Sequence, residues 1–348
     1  MNNIAQFCKK LKTDITPRPR NPRKPVSCWS EQDRYQDEIV KAYVIIFYTN
    51  GCSWVHHSGC TMCGYFNESA SGSITADDLK EQYTYAMNNF KGEPVVKIFT
   101  SGSFLDAQEI QLDVQSFILD DLKDKTQKIS VESRPSFITK TRVDSIKKLV
   151  SSTDFEVGIG LETANDRIRS TCINKGFSFQ DYQKAVNILK KQGFLTKTYL
   201  LIKPPFLTEK QAIQDAITTV KKIHQLTETI SFNPMNIQRH TLVEYLWKRN
   251  QYRAPWLWSI IDILSQSKKI VQNTRLQCDI SGGGKSRGAH NCFHCDTSFL
   301  KQITQFSLNQ DPSIFQDLTC SCNEIWKDQL ELESFSFGSI PDFLRWNQ

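Results

Sequence analysis

Three cysteines, Cys52, Cys60 and Cys63, fall in the stretch Thr49-Asn-Gly-Cys-Ser-Trp-Val-His-His-Ser-Gly-Cys-Thr-Met-Cys-Gly-Tyr65 with the spacing C-x7-C-x2-C. Three thiolates can hold three irons of a 4Fe–4S cluster and leave the fourth iron open. An open iron can chelate a small molecule and pass it one electron, chemistry that no ordinary side chain performs. Cys60 and Cys63 form a tight pair. Cys52 reaches the same centre if residues 53–59 loop back, and Gly51, Ser58 and Gly59 give that loop its freedom. Three buried free thiols and a zinc site completed by His56 or His57 are the competing readings. Position after a first strand favours the cluster. The apolar run Ala42-Tyr-Val-Ile-Ile-Phe-Tyr48 reads as a buried parallel strand, and α/β folds place their chemistry on loops leaving strand C-termini.

A second cysteine set lies near the other end: Cys292-Phe-His-Cys295, Cys320-Ser-Cys322 and, upstream, Cys278. Two close pairs at this separation read as a tetrathiolate zinc site, ahead of an auxiliary iron–sulfur cluster or unmetallated thiols. Five cysteines compete for four places, with His290 and His294 as weaker candidates. The run Ser281-Gly-Gly-Gly-Lys-Ser-Arg-Gly288 is not a phosphate-binding P-loop, because Asp279 stands where that motif needs glycine. A loop presenting Lys285 and Arg287 to RNA phosphate and a plain surface loop remain open. Trp247, Trp256 and Trp258 offer base-stacking surfaces, although packing against the core is the favoured use.

The elements that would hold these residues alternate. Strand-like segments at 42–48, 95–100, 128–132, 155–161, 195–202 and 229–232 are separated by helical ones at 75–90, 109–122, 139–150, 164–171, 178–192 and 208–225. No antiparallel hairpin is evident. Parallel strands with crossover helices follow, and six such units predict an α/β fold, an open partial (β/α)6 barrel. Each strand ends in polar or Gly/Pro residues on one face: Ser101, Gly102 and Ser103; Glu132 and Arg134; Gly158, Gly160 and Glu162, with Lys175 nearby; then Lys203-Pro-Pro205. The hydroxyls suit an amino acid's ammonium and carboxylate, Glu132 a ribose diol, Arg134 a carboxylate, and the two glycines the close approach of a purine.

Three regions follow: a basic, Pro-rich arm at 1–41, the barrel at 42–235 and a cysteine-rich extension at 236–348. The chain's 348 residues and 39% hydrophobic content allow a substantial core. No run of 18 apolar residues exists to span a membrane, and no apolar signal segment is evident. Eleven cysteines without such a segment point to a reducing, cytoplasmic setting. Net charge is +6, and Lys9, Lys10, Lys12, Arg18, Arg20, Arg23 and Lys24 stand against Asp14 alone in the first 24 residues. Prolines 17, 19, 22 and 25 keep the second half of this arm extended, so it can track a phosphate backbone or remain a solvated tail.

The cysteine triad after the first strand, the Gly/Ser turn after the second, Glu-Ser-Arg-Pro after the third and Gly-x-Gly-x-Glu after the fourth together resemble the radical S-adenosylmethionine (SAM) superfamily. The branch with the Elongator catalytic subunit and the oxygen-independent coproporphyrinogen oxidases is the nearest in pattern. Most members use C-x3-C-x2-C. The longer C-x7-C-x2-C, with Gly-Gly-Gly-Lys-Ser-Arg-Gly-Ala-His-Asn-Cys292 and Cys320-Ser-Cys322, is similar to the archaeal radical SAM enzymes that complete archaeosine in tRNA. The resemblance spans about residues 25–345. It implies that Cys52, Cys60 and Cys63 ligate a 4Fe–4S cluster, that Ser101 to Ser103 contact the SAM methionine moiety, that Glu132 holds its ribose or ammonium, and that Lys175 stands where relatives place a carboxylate-gripping arginine. Tyr65, Arg134 and Glu162 complete the implied SAM surround, and Met62 replaces an aromatic residue common before the last cluster cysteine. The implied reaction is radical cleavage of the lysine C–N bond of a lysine-adduct 7-deazaguanine in tRNA, with a lysine-transferring archaeosine synthase subunit as partner. Another Elongator-like radical SAM tRNA modifier, or a non-enzymatic RNA-binding adaptor with zinc at both cysteine sites, are the alternatives.

Overall fold

The computed structural model describes residues 3–12, 20–70, 72–150 and 152–335. Its elements run α1 (Asn3–Lys10), β1 (Ser27–Tyr35), β2 (Glu38–Ile46), α2 (Ser53–His57), α3 (Ala76–Met87), β3 (Val95–Phe99), α4 (Leu112–Leu122), β4 (Lys128–Glu132), α5 (Lys140–Leu149), β5 (Asp154–Glu162), α6 (Phe179–Lys191), β6 (Leu195–Ile202), α7 (Glu209–Ile223), β7 (Thr229–Pro234), α8 (Leu242–Trp247), α9 (Leu257–Ile270), β8 (Arg275–Cys278), α10 (Asp296–Asn309) and α11 (Cys322–Leu332). The strands form one sheet in sequence order, parallel from β2 to β8. The result is an α/β half-barrel with helices outside, as the sequence predicts.

Helix starts follow the sequence closely because capping residues specify them. Thr75, Ser178 and Thr208 each close a capping box with the residue three positions on, and Thr139 caps α5. One start differs. The helix expected from 109 begins at Leu112, because Glu109 turns its carboxylate back to neighbouring loops instead.

The sheet has two strands beyond the six expected. β1 pairs antiparallel with β2, from Ser27 opposite Ile46 to Tyr35 opposite Glu38, which corrects the expectation of no hairpin. Gln36 and Asp37 join them with φ of 48° and 64°, the left-handed pair that a two-residue hairpin turn requires. The strand was hidden because it is an edge: SCWSEQDRY is mostly polar and half-exposed. At the other edge β8, drawn from the extension, pairs with β7.

The basic arm is also corrected. Its first part is helical and docked, with Phe7 edge-on to Tyr245 at 5.0 Å between ring centroids. Arg20 pairs with Glu68, Arg23 lies 3.4 Å from Glu81, and Lys24 sits over the Tyr85 ring. Asp14, Pro17, Arg18 and Pro19 lie outside the described residues.

Strand alternation gives the sheet two unlike faces. The outer face carries Tyr43, Ile45, Val96, Ile98, Ile129, Val131, Val157 and Ile159, packed with Leu79, Ile118 and Leu119 of the helices. Burial of each such residue contributes about 1.5–3 kcal/mol. The inner face is polar. Near its N-terminal end, Glu156 lies 2.6 Å from Lys128 and 3.4 Å from Lys197, and Asp33 lies 2.8 Å from Lys97 and 2.6 Å from Arg275. Burial opposes ionisation of Glu156, but Lys128 and Lys197 hold its carboxyl well below the usual range. Arg275 on β8 also donates to the Arg34 carbonyl on β1 at 2.6 Å, so ionic and polar contacts bring the two edge strands together where no ladder joins them.

Candidate active site

The strand C-termini converge on the cysteine loop. Thr49 donates to Glu109 at 2.7 Å and accepts the Gly51 amide at 3.1 Å. Gly51, with φ of 88°, turns the backbone into Cys52, which precedes the single turn of α2. Gly59, φ 73°, then returns it to Cys60 and Cys63.

A second segment clamps this loop from behind. Residues Ile168–Ile173 form a π-helical turn that ends at Asn174 in the left-handed conformation, φ 57°. Asn174 donates to Ser58 Oγ at 3.0 Å and to the Gly59 carbonyl at 2.7 Å, while its own carbonyl accepts Trp54 Nε1 at 2.8 Å. Thr61 donates to the carbonyls of Ile173 and Cys172 at 2.9 and 2.7 Å. Arg169, fully buried, ties the π turn to Thr163 and Phe177. From the opposite side Lys12 reaches the Ser58 carbonyl at 2.8 Å, with buried Cys8 one turn before it in the sequence. A cavity of about 310 Å3, lined by Lys12, Gly51, Cys52, Val55 and Phe66, separates α1 from the loop.

Three thiol donors on one loop suit a cluster with an open iron. Burial pushes Cys63 up to about 12, and Cys60 and Cys52 oppose its ionisation further. Three thiolates crowded here need a cationic centre among them. Among the described residues the side chains grouped closely enough to hold a single ion are Cys292, Cys295, Cys320 and Cys322, and Cys52, Cys60, Cys63, His56 and His57 form no such group.

Around the loop the other expected residues fall into two groups. Ser101 and Gly102 are partly exposed at the end of β3. Gly102 lies against Cys52, where an added Cβ would stand 2.6 Å from the Cys52 Cα. Glu132 lines the inner face with Tyr199 donating to it, and burial raises its carboxyl to about 7. Lys175 reaches Glu162 at 2.6 Å. Tyr65 is exposed toward the same space, with Glu132 and Asp279 among the charges that act on it.

The second group is already engaged within the protein. Ser103 Oγ accepts the Arg134 amide at 3.1 Å, and the Ser103 amide donates to Glu109 at 2.6 Å. The Arg134 guanidinium lies between Trp54 and Phe177, 5.2 and 5.4 Å from their ring centroids, and donates to the Lys175 carbonyl at 2.8 Å. Gly158 and Gly160 do admit a close approach, but of the protein's own groups: Tyr199 lies 2.8 Å from one hypothetical Cβ and Lys175 Nζ 2.7 Å from the other.

The structure adds residues that the sequence did not single out. Glu109, 3% exposed, links the cysteine loop to the Ser101–Ser103 turn. Asn174 and Trp54 join the loop to the Lys175 segment. Asp279 places a carboxylate just beyond β8, where burial raises its pKa. Neither Glu109 nor Asn174 has a local pattern that distinguishes it from a surface polar residue.

The profile of the radical SAM superfamily matches residues 46–216. The chain is 40% identical over 340 residues to archaeosine synthase subunit beta of Methanosarcina acetivorans, covering 97% of each. The chain belongs to the radical SAM superfamily and to the family of these beta subunits. A second such subunit, from Thermococcus kodakarensis, is 36% identical over 86% of this chain and 94% of its own length. Among solved structures, Methanocaldococcus infernus Elp3 aligns with a TM-score of 0.46 and 18% identity over 62% of this chain and 55% of that one. Radical SAM membership makes the protein an enzyme and implies a 4Fe–4S cluster and SAM as its cofactors.

The distal cysteines take definite places too. Cys292, Cys295, Cys320 and Cys322 gather with their sulfurs within 4.8 Å of one another. Cys278 is not among them, which corrects its candidacy. It ends β8 facing the helices, packs in the main core, and its amide is held by Ser307 Oγ at 3.0 Å. The glycine-rich loop does not offer Arg287, which pairs with Glu244 and sits 4.7 Å from the Trp247 ring centroid. Trp256 is buried, and Trp258 packs edge-on against Phe299 at 4.6 Å, so both serve packing. Among the described residues no helix is long and apolar enough to cross a membrane.

Proposed function

We propose that this protein is the radical SAM component of an archaeosine-forming system, breaking the C–N bond of the lysine side chain in a lysine-adduct 7-deazaguanine of tRNA and leaving the nitrogen on the base. The observation that carries the reading is 40% identity across 97% of both chains to a protein named archaeosine synthase subunit beta. That name also supports a partner subunit, which in this reading is the lysine-transferring one.

In this reading Cys52, Cys60 and Cys63 hold three irons and leave one for SAM. When bound, the cluster and SAM supply one electron and a hydrogen-abstracting carbon centre. The protein's part is positional. Glu109 fixes the Ser101–Gly102 turn against the cysteine loop, where the Ser101 hydroxyl meets the methionine end of SAM. Glu132 and Tyr199 face the ribose or ammonium. Lys175, paired with Glu162, meets the carboxylate as a point charge rather than a fork. Asp279 and Tyr65 face the same space and receive the cationic lysyl group of the substrate. Holding that carbon in place and excluding water is the protein's contribution to rate. The C–N lyase assignment distinguishes this protein from an Elongator-like modifier, and the superfamily match weighs against an adaptor with zinc at both sites.

The test is anaerobic turnover of the reconstituted protein with SAM, reductant and lysine-adduct tRNA, with and without the lysine-transferring subunit, read by nucleoside mass spectrometry. Conversion of the adduct to archaeosine is expected. Unchanged adduct beside reductive SAM cleavage would overturn the substrate assignment.

A further inference from the structure

The four distal sulfurs have a size. Cys292 Sγ lies 3.8 Å from Cys295 Sγ and 3.7 Å from Cys320 Sγ, and Cys295 Sγ lies 3.8 Å from Cys322 Sγ. Ligands about 2.3 Å from a tetrahedral zinc stand about 3.8 Å from one another. The spacing is far beyond a disulfide bond of about 2.05 Å, and an iron–sulfur cube would push the same sulfurs further apart.

The surroundings suit charged thiolates. Trp258 Nε1 points at Cys322 Sγ from 3.3 Å, and Asn291 Nδ2 at Cys295 Sγ from 3.4 Å. Such N–H donors fix and stabilise metal-bound thiolates. Asp296 holds the Asn291 and Phe293 amides at 3.1 Å, shaping the turn between the first two cysteines.

The site also answers a packing problem. In α11 only Cys322 is buried, so apolar packing alone holds that helix weakly. Yet the helix is fixed along its length: Trp326 donates to Ser259 at 2.9 Å and Gln329 accepts Trp256 Nε1 at 2.7 Å. Just beyond it Glu333 accepts the Glu209 amide at 2.6 Å. Glu209 in turn pairs at 2.7 Å with Lys203, at the C-terminal end of β6.

We propose that Cys292, Cys295, Cys320 and Cys322 bind one zinc ion as a closed tetrathiolate, and that this ion fastens α11 across the helices to the rim of the barrel. Binding displaces protons from whichever thiols still carry them and moves no electron. With four protein ligands the ion has no open position, so its role is structural. The assignment is independent of the tRNA reaction.

The experiment is metal and sulfide analysis of the full-length protein, purified anaerobically and reconstituted with iron and sulfide alone. One zinc per molecule is expected beside the iron of a single cluster. Cys320→Ser should lose at least nine-tenths of the zinc and keep its iron, whereas Cys278→Ala should keep both. If the variants do not fold, the wild type decides. Cobalt exchanged into it should show tetrahedral tetrathiolate absorption, and chelation should open residues 316–335 to protease until zinc is restored. Iron and sulfide for a second cluster in place of zinc, a single iron there, no cobalt–thiolate bands, or zinc lost from Cys278→Ala but not from Cys320→Ser would each overturn the assignment. A proteolysis pattern unchanged by chelation would overturn the fastening.

Discussion

The loop at Cys52–Cys63 and the quartet at Cys292–Cys322 use the same ligand in opposite ways. In the quartet, sulfurs 3.7–3.8 Å apart meet one another and N–H donors. Among the described residues the loop thiols form no such compact group. Asn174, Lys12 and Glu109 impose its shape from three other parts of the fold, and Thr61 ties it outward to the π turn. A closed site can be specified by short-range spacing, because its own metal holds it. An open site must be held by its neighbours, because some of the metal's coordination is reserved for a ligand.

The sharpest break in this comparison removes one thiol from each side. Cys60→Ala is expected to abolish cluster binding and all SAM cleavage while zinc content stays unchanged. Cys322→Ser should do the reverse, retaining iron but losing on the order of 3 kcal/mol of stability, read by denaturant unfolding. Loss of both metals from either variant would show that the sites fold as one unit.

Next comes the external scaffold. Glu109→Ala strands the Thr49 hydroxyl and the Ser103 amide, a cost of about 1–3 kcal/mol. SAM binding measured by calorimetry on reconstituted protein should weaken about tenfold or more. Unchanged affinity would show that the turn holds its shape without this bridge.

Protonation gives a smaller, graded effect. Burial raises Glu132 to about 7, so binding a cationic ligand there below that pH must release a proton. SAM affinity is expected to fall about tenfold per pH unit below 7 and level off above it, and Glu132→Gln should flatten the profile. Without ligand the sign is opposite. An acid whose folded pKa is raised stabilises the fold at pH below its usual value of 4.5, and that stability is lost as pH rises through about 7.

The mildest probe is Asn174, whose φ of 57° tolerates glycine. Asn174→Gly keeps the backbone and loses the bonds to Ser58 and Gly59, whereas Asn174→Ala adds left-handed strain of about 1 kcal/mol. The alanine variant should therefore lower the cluster's thermal stability more than the glycine variant. Equal effects, both near wild type, would mean the Asn174 amide contributes nothing to the clamp.

The amino-acid pattern by itself determined what short-range physics governs. Capping residues such as Thr75 and Ser178 set helix starts, apolar runs set the central strands, and paired cysteines announced the quartet, because each acts within a few residues. Tertiary structure decided what depends on distant partners. The polar edge strand at 27–35 is a strand only because Ile46 and its neighbours lie beside it. Cys278 left the quartet because β8 turns it into the helical core. Arg134 and Ser103 read as ligand groups in one dimension, yet Trp54, Phe177 and Lys175 occupy one, and the Arg134 amide the other. A residue's hydrogen-bonding capacity is written in the sequence, but which group claims it is settled only when the polypeptide folds back on itself.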